Sequence, residues 1–131
     1  MNNWKIAGLA GAGIAVTGTL YAKLAMHHGL HVFSYGEYPS LIRGGHNCMQ
    51  VTTDKLTCTT QQKILDVLVD LNADGITLHK DELDKNSVIL VDKSQVKLDW
   101  DQLKLQGTLI DLPMYKASLE VTGSGLAANM V

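Results

Sequence analysis

Hydrophobic positions along the chain fall in short blocks whose period switches between that of a strand and that of a helix. Trp4 to Leu9 is a short apolar run suited to a strand buried on both faces, and the glycines from Gly8 to Gly13 supply a tight turn after it. Ile14, Gly18, Tyr21, Ala22 and Ala25 then recur at helical spacing. Small residues dominate the side that would meet a sheet, and Gly29 stands where a left-handed cap belongs. His31 to Tyr35 alternates and is rich in β-branched and aromatic residues, predicting a second strand. Cys48 to Thr53 predicts a third, with Met49 and Val51 on one face, whereas residues 54 to 63 are polar and without period.

Asp66 to Leu71 reads as a strand, Asn72 as the N-cap of a helix with Asp74 in its first turn, and that helix is expected to run to about Leu83. Ser87 to Val91 is aliphatic and follows a polar turn, as expected of a buried strand in a parallel sheet. Gly107 to Leu112 repeats the pattern, Pro113 occupies a plausible first helical position, and Lys116 to Val121 continues that helix. Ser124 is placed to cap a further helix from Gly125, yet the sequence stops at Val131 without a stop signal, so a fragment of a longer protein is expected.

Alternating strand and helix signals favour an α/β layered domain: a three-layer, Rossmann-like unit with a mostly parallel sheet flanked by helices. The 131 residues correspond to one domain, 1–131, with no repeat, linker or low-complexity tract. Composition narrows the classes. Hydrophobic residues are 46% and charged residues 18% of the chain, against about 25% charged in a typical globular domain, which excludes intrinsic disorder. A net charge of −2 offers no basic footprint for nucleic acid or an anionic membrane.

Lys5 and the uncharged stretch Ile6 to Ala22 resemble a signal peptide or short anchor, but four glycines and two threonines interrupt the apolar run, so neither a targeting segment nor a membrane span is expected. Cys48 and Cys58 lack the spacing of a zinc knuckle and are too few for an iron–sulfur cluster. A reduced pair in the cytoplasm is the expected state.

Candidate chemistry concentrates in two places. Gly8-Leu9-Ala10-Gly11-Ala12-Gly13 joins a strand to a helix, where free amide groups and glycine backbone allow a phosphate to approach. Its spacing is not the dinucleotide Gly-x-Gly-x-x-Gly, and no acidic residue closes the second strand, so phosphate contact and a tight packing turn both remain open readings. The stretch from Tyr35 to Asn47 gathers Glu37, Tyr38, Pro39, Ser40, Arg43, Gly44, Gly45 and His46 at the end of a strand, where α/β folds place ligands. Arg43 beside two glycines suits a phosphate or carboxylate, and Tyr38 suits stacking or a hydrogen bond. An ordered subunit-contact loop uses the same residue types.

His27, His28 and His31 fit poorly as metal ligands and read as cations closing a helix dipole. His46 and Cys48 share a strand face as a nucleophile and base would, but without a third, orienting group in view. Asp74-Gly75 with Asn86 is too short for a diphosphate–magnesium motif and reads as a helix start.

The glycine turn, the loop Glu37-Tyr38-Pro39-Ser40-Leu41-Ile42-Arg43-Gly44-Gly45-His46-Asn47, the strand Asp66-Val67-Leu68-Val69 with Leu71-Asn72, and the terminal Asn129-Met130-Val131 together resemble the gamma subunit or gamma domain of 2-oxoacid:ferredoxin oxidoreductases. The likeness runs in order from about Ile6 to Val131. It implies a component of a complex that oxidatively decarboxylates a 2-oxoacid, such as pyruvate or 2-oxoglutarate, to an acyl-coenzyme A. Thiamine diphosphate, magnesium and iron–sulfur clusters would lie in the alpha and beta partner subunits or domains, with ferredoxin as acceptor. The same likeness implies no catalytic residue and no metal in this chain, but coenzyme A contacts at Gly8, Gly11, Gly13, Tyr38, Ser40, Arg43, Gly44 and Gly45. Ala12 stands where the family usually has a glutamine, and the family's domain continues beyond Asn-Met-Val. The competing readings are an independent nucleotide-binding reductase and a ligand-free assembly domain of the same fold.

Overall fold

A computed structural model describes residues 1–38 and 45–131. Six strands, β1 (Asn2–Leu9), β2 (His31–Glu37), β3 (His46–Asp54), β4 (Val67–Asp70), β5 (Val88–Val91) and β6 (Thr108–Asp111), form one sheet in the order β2-β3-β1-β4-β5-β6. The pairs β1/β4, β4/β5 and β5/β6 are parallel, whereas β3 runs antiparallel to both of its neighbours. Five strands thus point one way and β3 alone is reversed. Parallel neighbours need a crossover of a dozen or more residues, usually helical; β2 and β3 have no helix signal between them, and they pair as antiparallel neighbours.

Helix α1 (Ile14–His27) packs on one face, where Trp4, Ile6, Ile14, Ala22 and Val51 form a buried cluster and Trp4 stacks on Tyr21 with ring centroids 4.6 Å apart. Helix α2 (Ala73–His79), followed by a 3₁₀ turn at Lys80–Glu82, covers the other face, above a core of Ala7, Cys48, Leu65, Leu68, Leu83 and Ile89. The strand period of two sorts β1 between these layers: Trp4 and Ile6 turn to α1, Lys5 and Ala7 to α2. The three expected layers are present. Helix α3 (Met114–Thr122) follows β6, and the chain ends in a 3₁₀ segment, Gly125–Met130, whose start is capped by the Ser124 side chain accepting from the Leu126 amide.

Two helix boundaries depart from the sequence expectation. The second helix was expected to reach Leu83, but it tightens to 3₁₀ geometry after His79. Pro113 sits one residue earlier than expected, as the N-cap of α3. Asn72 is the N-cap of α2, but its side chain caps nothing and its Oδ1 is buried with no partner among the described residues. Cys48 and Cys58 are free thiols, as expected of a reduced pair. Among the described residues no helix is long and apolar enough to cross a membrane.

Candidate functional site

The glycine turn lies at the carboxyl edge of β1, where the parallel strands end and where this architecture gathers ligands. Its glycines do different work. At Gly8 a side chain would meet Ile14 Cδ1 at 3.0 Å and Leu71 Cβ at 3.2 Å, so this glycine allows β1, α1 and β4 to close together. Gly11 has φ 92° and nothing within 4 Å on the side a Cβ would occupy, leaving its backbone open to approach. Gly13 has φ 76° and is the N-cap of α1, with no side chain capping the first amides of that helix. A Cβ there would run into the Asn129 amide, which donates to Thr17 Oγ1 at 3.0 Å while the Thr17 hydroxyl donates to the Asn129 carbonyl at 3.2 Å.

The terminal segment is therefore pinned against Gly13, and it also walls the cavity that opens beside Gly11. Gly13→Ala is expected to lower stability by about 1–2 kcal/mol from its left-handed backbone alone, and to push the Asn129 amide away from Thr17 as well. Urea denaturation read together with the Asn129 side-chain amide signals in NMR checks both parts.

A cavity of about 260 Å³ opens beside Gly11, walled by Leu71, Asp92, Tyr115 and Leu126 among others. It is smaller than the roughly 300–1,000 Å³ of a pocket that encloses a whole cofactor, so it suits one end of a larger ligand. Asp92 is already engaged: Ser94 donates to it through its amide at 3.0 Å and its hydroxyl at 2.5 Å, and the Tyr115 amide donates at 2.8 Å. Burial works against its charge, but these bonds outweigh burial and hold its pKa below the usual carboxylate range. Among the described residues the cavity has no cationic side chain in its wall. An anion there would rest on backbone amides and on charge brought from elsewhere.

The strand register shows where that charge can come from. Leu9 pairs with His46, so Gly45, with φ 104°, leaves β3 at the same edge from which the glycine turn leaves β1. Tyr38 directly follows β2 at this edge; its side chain is exposed and its ring lies over Gly36. Ser40, Arg43 and Gly44 fall outside the described residues. Of the three histidines read as cations closing the α1 dipole, His28 places Nδ1 2.8 Å from the Leu24 carbonyl in the last turn, His27 is the last residue of the helix, and His31 lies in β2.

On the opposite face the structure assembles a polar network that the sequence reading did not find. His46 Nε2 lies 2.8 Å from His79 Nε2, His79 Nδ1 lies 2.8 Å from Glu82 Oε1, and Lys5 Nζ pairs with Glu82 Oε2. Cys48 stands beside the two histidines on β3. The third group missing from the His46 and Cys48 pair thus comes from α2 and the turn after it. Burial pushes the Cys48 thiol up to about 11 and the His46 imidazole down, the latter helped by His79. A thiol held protonated is a poor nucleophile, which argues against the nucleophile and base reading. Burial also disfavours the Glu82 carboxylate, but hydrogen bonds from His79 and Lys5 outweigh it and keep the group below its ordinary range. The one signal in the sequence was Lys5 itself, a lone charge inside an apolar strand, which must find an anion once buried.

Comparison with known proteins places this geometry. The chain is similar to 2-oxoglutarate:ferredoxin oxidoreductase from Magnetococcus marinus, solved with 2-oxoglutarate, coenzyme A and succinyl-CoA bound (TM-score 0.87, 23% identity, 98% of this chain and 22% of that one). It is similar also to the gamma subunit of a keto/oxoacid ferredoxin oxidoreductase from Geobacter sulfurreducens PCA (TM-score 0.76, 20% identity, 99% and 72%). A pyruvate oxidoreductase subunit from Thermotoga maritima gives TM-score 0.72 at 16% identity, over 97% of this chain and 70% of that one. At these identities the likeness is one of fold, and the chain spans about a fifth of the Magnetococcus protein, 22% of its length. No curated protein matches the sequence. The family model for pyruvate ferredoxin/flavodoxin oxidoreductase matches residues 3–131, nearly the whole chain, and the protein belongs to that family.

Proposed function

We propose that this chain is the gamma component of a 2-oxoacid:ferredoxin oxidoreductase, a complex that converts a 2-oxoacid to an acyl-coenzyme A, and that it supplies coenzyme A phosphate contacts and subunit assembly. The observation that carries the reading is the family match over residues 3–131, joined to a sheet edge that holds an uncapped helix terminus, the open backbone of Gly11 and, by the pairing of Leu9 with His46, the start of β3 after Gly45.

The fit to coenzyme A is that of a partial site. The first amides of α1 and the open Gly11 backbone offer donors to a phosphate. The cavity holds only one end of such a molecule, and its wall brings a carboxylate where an anion needs cations. Arg43 supplies the missing charge in this proposal, with Tyr38, Ser40, Gly44 and Gly45 shaping the approach, while Gly8 and Gly13 hold the turn in place. Coenzyme A would bring the thiol that accepts the acyl group. This chain's part is to orient its phosphates, with decarboxylation and electron transfer left to thiamine diphosphate, magnesium and iron–sulfur clusters in alpha and beta partners, ferredoxin as acceptor, and the complex in the cytoplasm.

An anaerobic pull-down of the full-length protein from its source cells is expected to bring down a thiamine-dependent and an iron–sulfur subunit. A protein recovered alone would sink the assembly half of the proposal. In the assembled complex, Arg43→Ala is expected to weaken coenzyme A by roughly 1.5–3 kcal/mol, the range of a hydrogen bond to a charged group. Calorimetric titration showing unchanged affinity would remove Arg43 from the site, leaving the ligand-free assembly reading.

A further inference from the structure

The network of Lys5, His46, Cys48, His79 and Glu82 plays no part in the function proposed above, and its arrangement has a chemistry of its own. One ligand atom from each of His46, Cys48 and His79 lies within 4.8 Å of the others. We infer that these three side chains form a binding site for a divalent cation of the zinc class, with Glu82 as the positioning residue behind His79 and the fourth coordination place filled by water from the adjoining cavity.

The donor geometry comes first. His79 Nδ1 lies 2.8 Å from Glu82 Oε1 and 3.3 Å from Lys5 Nζ. The shorter contact is to a carboxylate, which only accepts, and Lys5 already donates to Glu82 Oε2, so the proton of neutral His79 is assigned to Nδ1 and its Nε2 presents a lone pair toward His46. A carboxylate behind a histidine in this way fixes the tautomer and ring orientation of a metal ligand. Zinc bonds of about 2.0–2.1 Å to nitrogen and 2.3 Å to sulfur, at tetrahedral angles, put ligand atoms roughly 3.3–3.6 Å apart. The present 2.8 Å between the two Nε2 atoms is reached by an ordinary hydrogen bond; a modest parting of the rings takes it to the metal-bound distance.

If His46 donates from Nε2 to His79 in the metal-free protein, a cation on Nε2 moves that proton to Nδ1, an atom without a partner among the described residues in either state. The Cys48 thiol gives up its proton to solvent, so one proton is released for each ion taken up. Lys5 and Glu82 cancel one another, and the thiolate offsets half of the ion's charge. Two imidazoles and a thiolate are softer than magnesium or calcium prefer and suit zinc or cobalt. Entry is provided by a cavity of about 500 Å³ whose wall includes Cys48, Glu82 and Lys5.

Cobalt(II) is the probe. Titrated into the metal-free, full-length protein without oxygen, it is expected to bind one ion per chain with a thiolate-to-cobalt charge-transfer band, which zinc then abolishes by displacement. The band should vanish in Cys48→Ser and persist in Cys58→Ser, and Glu82→Gln should weaken zinc about 10–100-fold through its effect on His79. Zinc-edge X-ray absorption of the wild-type protein, independent of any variant's folding, should show one sulfur and two imidazole shells. No stoichiometric binding, a band surviving Cys48→Ser, or a zinc shell of oxygen alone would overturn the site and leave a hydrogen-bonded network that stabilises the sheet.

Discussion

Asp70→Asn is expected to raise stability at pH 8 by about 4 kcal/mol and to leave it nearly unchanged at pH 4. Asp70 ends β4 on the face covered by α2 and is fully buried. Its Oδ1 accepts from the Asn72 amide at 3.3 Å, while Oδ2 has no partner among the described residues. Burial pushes this carboxyl up to about 7, against an ordinary value of 3.8, despite backbone hydrogen bonds that pull the other way. The folded protein therefore holds a proton at this site between pH 4 and 7 that the unfolded chain has released, and stability from this group falls as pH rises through that window. A shift of about three units at about 1.4 kcal/mol each gives the magnitude.

Glu82 and Asp92, held below their ordinary range, act with the opposite sign: their contribution is present at neutral pH and is lost as pH falls. The difference between wild type and Asp70→Asn isolates the one group from that background. Urea denaturation of both proteins from pH 4 to 8 gives it directly, and a difference that stays flat across the window would show that Asp70 does not ionise there.

The fold was largely legible because its signals are local. Gly29 and Gly123 both take left-handed backbone at helix ends, and Ser124 caps the last segment through its own side chain. The alternation of β1 sorts its residues between two cores with no information from elsewhere. Even the reversal of β3 was implicit in the absence of a helix between it and β2, although β3 itself hides the fact. A strand buried in mid-sheet looks the same in either direction, and its polar residues obscure the pattern further. Gln50 and Thr52 are buried because both donate to Asn3 Oδ1 on β1, a contact across 47 and 49 residues respectively.

The sites were legible only as far as they are local. Gly11 and Gly13 declare a turn by composition, but that Asn129 rests on Gly13 depends on a hydrogen bond reaching Thr17 across 112 residues. His79 and Glu82 stand three apart, so a helical reading puts them on one side; which face of the sheet that side meets is set by the crossover, not by the segment. Their meeting with Lys5, 74 and 77 residues away, is tertiary. Lys5 was the available clue, since a charge in a strand buried on both faces requires a partner somewhere.

That tertiary meeting rests on how closely α2 approaches the sheet, and Gly75→Ala is the substitution expected to disturb it, at a net cost of about 2 kcal/mol. Gly75 is buried in the first turn of α2, and a Cβ there would lie inside the carboxyl group of Asp70. Asp70 cannot yield, being fully buried itself, and neighbouring Ile76 is buried against Val91 and Val96. Overpacking of this kind costs about 1–3 kcal/mol and sometimes more, set against less than 1 kcal/mol gained from alanine's better helix propensity.

The helix can relieve the clash only by moving off the sheet, and His79, four residues on and so on the same side, moves with it. The 2.8 Å approach of His79 to His46 is then broken although neither residue has been changed. A lowered urea midpoint together with shifted His46 and His79 ring resonances is the expected result. A stable Gly75→Ala protein with both rings unmoved would mean that α2 has slack against the sheet, and that the histidine pair is held by Glu82 and Lys5 alone.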